Sequence, residues 1–175
     1  SLERMNTGFS GNNITVLGAG GAAAAVIAAA AANNAASITV SCRTAAKADQ
    51  IRTHLKSIKP EYDKKIHICG FDKNTLADAC ATADILINAT PLGMEGVPHN
   101  FDDFDFLDAL PHGAIVCDLI YKPKRTDFLS AAEQRNHSVS NGLDMLIFQA
   151  LAADEKYLEK HLDFQALYKD VISAL

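Results

Sequence analysis

Short apolar runs and longer helical stretches alternate along these 175 residues. Asn13 to Leu17 reads as a buried strand, and Gly18 to Gly21 as a turn. Ala22 to Ala32 follows as a helix, because Ala has the best helix propensity. The pair Asn33-Asn34 ends it. Ser37 to Ser41 is the next strand and Ala45 to Lys56 the next helix, with Pro60 blocking its continuation. Lys65 to Cys69 predicts a third strand, Asn74 to Thr82 a short helix, Ile85 to Asn88 a fourth strand and Ala114 to Asp118 a fifth. Thr126 to Arg135 is helical, and His137 to Ser140 is a last short strand. Two helices close the chain, Gly142 to His161 and Phe164 to Leu175. In the first of these Leu143, Leu146, Ile147 and Ala150 share one stripe at helical spacing.

Strands that alternate with helices at this spacing build βαβ units. Right-handed crossovers then give an α/β, Rossmann-like, doubly wound parallel sheet with helices on both faces. The length fits one domain, residues 1–175. The chain opens on Ser-Leu-Glu-Arg-Met-Asn, a helical-looking stretch ahead of the first strand, and its start without Met suggests a trimmed or proteolysed piece of a longer protein.

Composition narrows the field by exclusion. The formal charge is −5, with the basic residues dispersed, so nothing here attracts nucleic acid or an anionic membrane. Lys64-Lys65 and Lys122 to Arg125 read as solvated turns. Cys42, Cys69, Cys80 and Cys117 form no CxxC motif and the histidines are scattered. No metal site or disulfide framework is expected, and reduced thiols in a cytoplasmic protein are the natural reading. The apolar run Ala22 to Ala32 is too short to span a bilayer.

The chemistry gathers at the ends of the strands. Gly18-Ala19-Gly20-Gly21-Ala22-Ala23 fits G-x-G-x-x-A between a strand and a helix. Gly18 permits the tight turn, Gly20 leaves room for a pyrophosphate, and Ala23 lets helix and strand pack closely. The helix N-terminus presents free N–H groups to phosphate. The second strand ends in Ser41-Cys42-Arg43-Thr44, with Lys47 one turn on. NAD-selective sites carry an acid here for the ribose 2′-hydroxyl. This chain instead offers a guanidinium, a hydroxyl and an ammonium, which are donors for a 2′-phosphate. The fourth strand runs into Asn88-Ala89-Thr90-Pro91-Leu92-Gly93-Met94, and the fifth into Asp118-Leu119-Ile120-Tyr121-Lys122-Pro123, both at the edge where such sheets bind ligands. From the residues alone, Asp118 could satisfy loop amides, Tyr121 could be a half-buried aromatic, and Gln149 is an exposed polar residue outside the apolar stripe.

These motifs, with Gly142-Leu143-Asp144-Met145-Leu146 and Gln149-Ala150 after them, occur in an order that resembles the C-terminal half of shikimate dehydrogenase, from about Leu2 to the C-terminus. The resemblance implies reversible hydride transfer between NADPH and 3-dehydroshikimate, giving shikimate, a step of aromatic amino-acid biosynthesis. It implies an NADP(H) site formed by Gly18, Ala19, Gly20, Gly21 and Ala22 at the pyrophosphate, and by Cys42, Arg43, Thr44 and Lys47 at the 2′-phosphate. Asn88, Ala89, Thr90 and Met145 would complete it, with Leu119 and Gly142 against the nicotinamide half. Tyr121 and Gln149 would reach the shikimate. The proton-handling Lys–Asp pair of the family belongs to an N-terminal domain that no segment here matches, so no catalytic residue is expected in this chain, and the missing domain would be its intramolecular partner. The family often has Asn where this chain has Cys42, and Arg where it has Lys47. Two alternatives stay open: a quinate/shikimate dehydrogenase that prefers NAD, and a non-catalytic NADP(H)-binding module.

Overall fold

The computed structural model describes residues 8–158, 161 and 163–174, except the side chains of residues 148, 149, 152, 156, 158, 164 and 174. The helical stretch expected at residues 1–6 lies outside them. Six strands form one parallel sheet: β1 (Asn13–Leu17), β2 (Ser37–Ser41), β3 (Ile66–Cys69), β4 (Ile85–Asn88), β5 (Ile115–Asp118) and β6 (Ser138–Ser140). Their order is β3-β2-β1-β4-β5-β6. The strand order therefore reverses between β1 and β4, where β1 has parallel neighbours on both sides. Above that switch point the loops part and leave a crevice.

Two apolar layers flank the sheet, and the alternation along each strand assigns side chains to them. Ile14 and Val16 of β1, with Ile85 and Ile87 of β4, pack on α1 (Gly21–Ala32) and α2 (Ala45–Ile58). Leu17, Leu86 and Val116 face the other way. They meet α3 (Lys73–Cys80), α4 (Asp127–Gln134) and the 3-10 helix Asp105–Ala109. A cluster of phenylalanines fills this second layer, with Phe101 stacked on both Phe71 and Phe128. The hydroxyl of Thr15, buried in β1, donates to the Ala79 carbonyl at 2.8 Å and so ties α3 to the central strand.

Caps explain most of the shifts from the expected boundaries. α3 starts at Lys73 rather than Asn74, because Asp72 caps it: its carboxylate accepts from the Thr75 amide at 3.1 Å. Thr126 is the cap of α4 rather than its first residue, since its hydroxyl accepts from the Leu129 amide. Beyond Lys56, α2 continues two residues to Ile58, and Pro60 then opens a 3-10 helix, Pro60–Lys65, instead of a free turn. Lys65 is not simply solvated there; its ammonium donates to the Ala35 carbonyl at 2.8 Å.

The stripe expected on α5 (Leu143–Leu158) is corrected. Leu146 and Ala150 face solvent, while Ile147 and Leu151 are buried against Tyr168 of α6 (Phe164–Ala174). Leu143, Ile147 and Leu151 are four residues apart, so the buried seam follows the i, i+4 row along one side of the helix. Tyr168 adds a hydrogen bond to the Asp144 carboxylate across the two helices.

Candidate functional site

The glycine turn has the geometry that its sequence demands. Gly18 takes φ +106°, and a Cβ there would stand 3.0 Å from Thr90 Cγ2 and 3.1 Å from the Ala89 carbonyl oxygen. Backbone conformation and close approach both exclude a side chain. Gly20 and Gly21 are different: a Cβ on either meets nothing within 4 Å. Their missing side chains keep open space in front of α1. No side chain caps that helix, and its first turn holds no acid. Its leading N–H groups and positive end therefore face an accessible hollow, which suits a phosphate.

That hollow is a cavity of about 210 Å³. Gly18, Ala19 and Gly20 form its floor, and Ala89 and Thr90 come from the loop after β4. Cys42, Arg43, Thr44 and Lys47 line the side at the end of β2. Nine of the residues expected at the cofactor thus share one cavity. Gly21 and Ala22 lie beside it in the first turn of α1, and Asn88 is buried behind it. Three further lining residues are Phe71, Pro91 and Leu92. Phe71 escaped the sequence reading because it belongs to no motif; only the β3–α3 connection brings it to this edge.

The polar end of the cavity is positive. Arg43 and Lys47 are exposed, and among the described residues neither is paired with a carboxylate. Thr44 occupies the cap position of α2, yet its hydroxyl makes no capping bond. The nearest acid along the helix, Asp49, is engaged by Arg52 at 2.8 Å. Cys42 behaves otherwise. Its thiol is buried and donates to the Thr44 carbonyl at 3.5 Å, so its hydrogen is committed within the chain. Burial, more than the charge of Asp49, pushes this thiol up from its ordinary pKa, while the bond to Thr44 opposes the rise.

Leu119 and Gly142 meet at the far side of the switch point. A Cβ on Gly142 would overlap the Leu119 carbonyl, a backbone group with no freedom to swing aside. The Gly142 amide donates to the Ile120 carbonyl at 3.1 Å. Met145 is half-buried in the first turn of α5. Tyr121 is 49% exposed and borders a separate depression of about 260 Å³, together with Met94, Glu95 and Lys122. Gln149 falls in α5, but its side chain lies outside the described residues.

Behind both hollows runs a buried polar chain. Asp118, only 1% exposed, accepts from the Asn88 side-chain amide at 3.0 Å, the Ile120 amide at 3.0 Å and the Thr126 hydroxyl at 2.7 Å. Asn88 in turn accepts from the Thr90 amide and hydroxyl at 3.0 and 2.6 Å. Thr90 then accepts from the Leu92 amide at 3.2 Å. Burial pushes the Asp118 carboxyl up to about 6, against the pull of the bonds from Thr126, Ile120 and Asn88.

Among the described residues no group of histidines, cysteines and acids could hold a metal ion, and no helix is long and apolar enough to cross a membrane. All four cysteines are free thiols.

A profile of the shikimate / quinate 5-dehydrogenase family matches residues 1–93. The NADP(+) shikimate dehydrogenase of Latilactobacillus sakei is 37% identical over 158 residues, which are 90% of this chain and 54% of that protein. Among solved structures, the shikimate 5-dehydrogenase of Listeria monocytogenes, in complex with shikimate and NAD, superposes with a TM-score of 0.82 at 27% identity. The match covers 97% of this chain and 59% of that one. A shikimate dehydrogenase in complex with NADP+ gives a TM-score of 0.74 at 30% identity, over 94% of this chain and 55% of that one. The chain thus spans about half the length of the relatives it matches. With half of its residues under the family profile and its whole sheet shared with these enzymes, the chain belongs to the shikimate / quinate 5-dehydrogenase family.

Proposed function

We propose that this chain is the NADP(H)-binding domain of a shikimate dehydrogenase of the cytoplasm. The observation that carries the reading is a single cavity with the open glycine turn at one end and Arg43, Thr44 and Lys47, without an acid, at the other. A pyrophosphate fits against α1, where Ala19, Gly20, Gly21 and Ala22 offer backbone donors, while Gly18 makes the turn and gives its own amide to the Ser41 carbonyl at 2.8 Å. A 2′-phosphate fits between the Arg43 guanidinium, the Thr44 hydroxyl and the Lys47 ammonium. Cys42 lines this end as an apolar wall, since its S–H is spent on Thr44. Ala89 and Thr90 bound the middle of the crevice, with Asn88 holding Thr90 in place.

The nicotinamide cofactor, when bound, supplies the hydride carrier for interconverting 3-dehydroshikimate and shikimate. The chain's own part is to hold and orient it. Leu119, Gly142 and Met145 provide the surface for the ring, and Tyr121 and Gln149 are assigned to the substrate. The proton-handling pair is assigned to the N-terminal domain of the whole enzyme. These 175 residues are accordingly expected to bind NADP(H) without turning shikimate over. Proton assistance of that kind is typically worth about 10² to 10⁴ in rate.

Calorimetric titration of the chain with NADP+ and NAD+ tests the assignment. Tighter binding of NADP+ supports it, and equal affinities for the two would remove the role given to Arg43, Thr44 and Lys47.

A further inference from the structure

The Asp118 carboxylate is a buried ionisable group that the binding roles above leave unused. An ionised carboxylate at 1% exposure costs several kcal/mol in the fold unless its neighbours compensate. Here they are all neutral: Asn88 from β4, the Ile120 amide from the loop after β5, and Thr126 at the start of α4. The adjacent Cys117 thiol is itself kept protonated by burial, its pKa pushed up to about 12. A neutral amide would avoid that cost but would offer one acceptor oxygen where the carboxylate offers two, and a weaker one, so the placement of a carboxylate calls for a role.

Connectivity supplies it. Through Ile120 the carboxylate fixes the backbone that carries the Leu119 carbonyl, which abuts Gly142. Through Asn88 it reaches Thr90 and Leu92, which line the first cavity. Through Thr126 it is anchored to the N-terminus of α4. One group therefore sets the spacing of the two loops on either side of the switch point. We infer that Asp118 is a positioning residue for the nicotinamide half of the cofactor, holding the Leu119–Ile120 backbone against Gly142 and in register with the Thr90–Leu92 turn. This rests on the reading that an NADP-type cofactor binds across this edge.

The experiment compares two ligands on the 175-residue chain by calorimetry: NADP+, and 2′-phospho-ADP-ribose, which is NADP without its nicotinamide. Asp118→Asn keeps the shape and removes the charge. Its Oδ1 still accepts from Ile120 and Asn88, but as a neutral acceptor that holds them more weakly than a carboxylate does. It is expected to leave 2′-phospho-ADP-ribose binding within about twofold of wild type and to weaken NADP+ by about threefold to tenfold. An equal loss of both ligands would mark a merely structural role and overturn the inference, as would a variant that binds NADP+ like wild type. A second arm needs no variant. In the unmodified chain the ratio of NADP+ to 2′-phospho-ADP-ribose affinity is expected to fall as pH drops through about 6, where Asp118 takes up its proton. Both ligands carry the same 2′-phosphate, so its own titration cancels in that ratio. A flat ratio overturns the inference even if Asp118→Asn does not fold. A chain that binds neither ligand overturns the cofactor reading and this inference together, whereas normal binding of both with a flat ratio removes the inference alone.

Discussion

Replacing Asp118 by Asn is expected to stabilise the fold at neutral pH. In the native chain the carboxyl is pushed from 3.8 to about 6. At 1.36 kcal/mol per unit, that rise corresponds to ~3 kcal/mol of penalty for the ionised form relative to the unfolded chain. The sign follows from proton uptake. Between pH 3.8 and about 6 the folded chain holds a proton here that the unfolded chain has lost. This group's contribution is therefore most favourable below 3.8, and it is lost as pH rises through about 6. Asn carries no such cost. Against the gain stands the Thr126 hydroxyl, which loses its carboxylate acceptor, a matter of roughly 1 kcal/mol. The net at pH 7 is a stabilisation of about 1–3 kcal/mol.

Urea unfolding followed by circular dichroism, at several pH values from about 4 to about 7.5, measures both chains. The raw profiles will not show the effect directly, because other carboxylates act in the opposite direction. Asp63 is held below its usual range by the Lys56 ammonium, Asp72 by Thr75 and Asp103 by the Asp105 amide. Their stabilising contributions are present above the unfolded pKa and fade in acid. They are common to both chains and cancel in the difference. The expected signature is a difference that grows in favour of Asn as pH rises through about 6, then levels off. A difference independent of pH, or one that favours Asp at neutral pH, would refute the argument that Asp118 is kept ionised at a cost.

Three further outcomes are expected. Arg43→Ala should weaken NADP+ by about 1.5–3 kcal/mol, the scale of a charge-assisted bond, and leave NAD+ unmoved; a parallel loss of both in calorimetry counts against a 2′-phosphate contact. Gly20→Val should keep its circular dichroism spectrum, because a Cβ there meets nothing within 4 Å, yet should lose NADP+ binding; a folded variant that binds normally places the pyrophosphate elsewhere. Gly142→Ala should lower the urea midpoint by an amount worth about 1–3 kcal/mol, since its Cβ overlaps the Leu119 carbonyl; an unchanged midpoint means that the loop gives way freely.

The sheet was legible because its central strands β1, β4 and β5 are short, mostly apolar runs closed by polar turns, and buried parallel strands need no more than that. The doubly wound architecture followed from the alternation of elements together with the handedness of crossovers, whereas the order β3-β2-β1-β4-β5-β6 is seen only in the structure. The glycine turn and the Arg43–Thr44–Lys47 group were legible because their residues are close in sequence and their chemistry is local. The starts of α3 and α4 each differ by one residue from the sequence reading, because a cap resembles the helix it begins. The α5 stripe was misread for a different reason. Leu146 and Ile147 are equally apolar, and only the docking of Tyr168 decides which of them is buried. Phe71 could not be found from sequence at all, since its place at the cavity depends on β3 lying beside β2.

The same logic explains why the polar chain behind the crevice was legible only in part: Asp118 does satisfy a loop amide, that of Ile120, but its link to Asn88 is not local. Asn88 and Asp118 are 30 positions apart and look like ordinary strand ends. Their strands pair with Asn88 directly opposite Asp118, so the parallel register puts the two side chains at one height on the sheet. Register is fixed by the apolar residues before them, Ile85 to Ile87 against Ile115 to Cys117. A slip of one residue would reverse the faces of that whole run. The core packing of β4 and β5 thus sets the 3.0 Å contact at their ends, with no separate device needed to bring the pair together. A substitution deep in either strand that loosens the register is therefore expected to be felt first at Asn88–Asp118, and through it at Thr90 and Ile120, before the fold itself is lost.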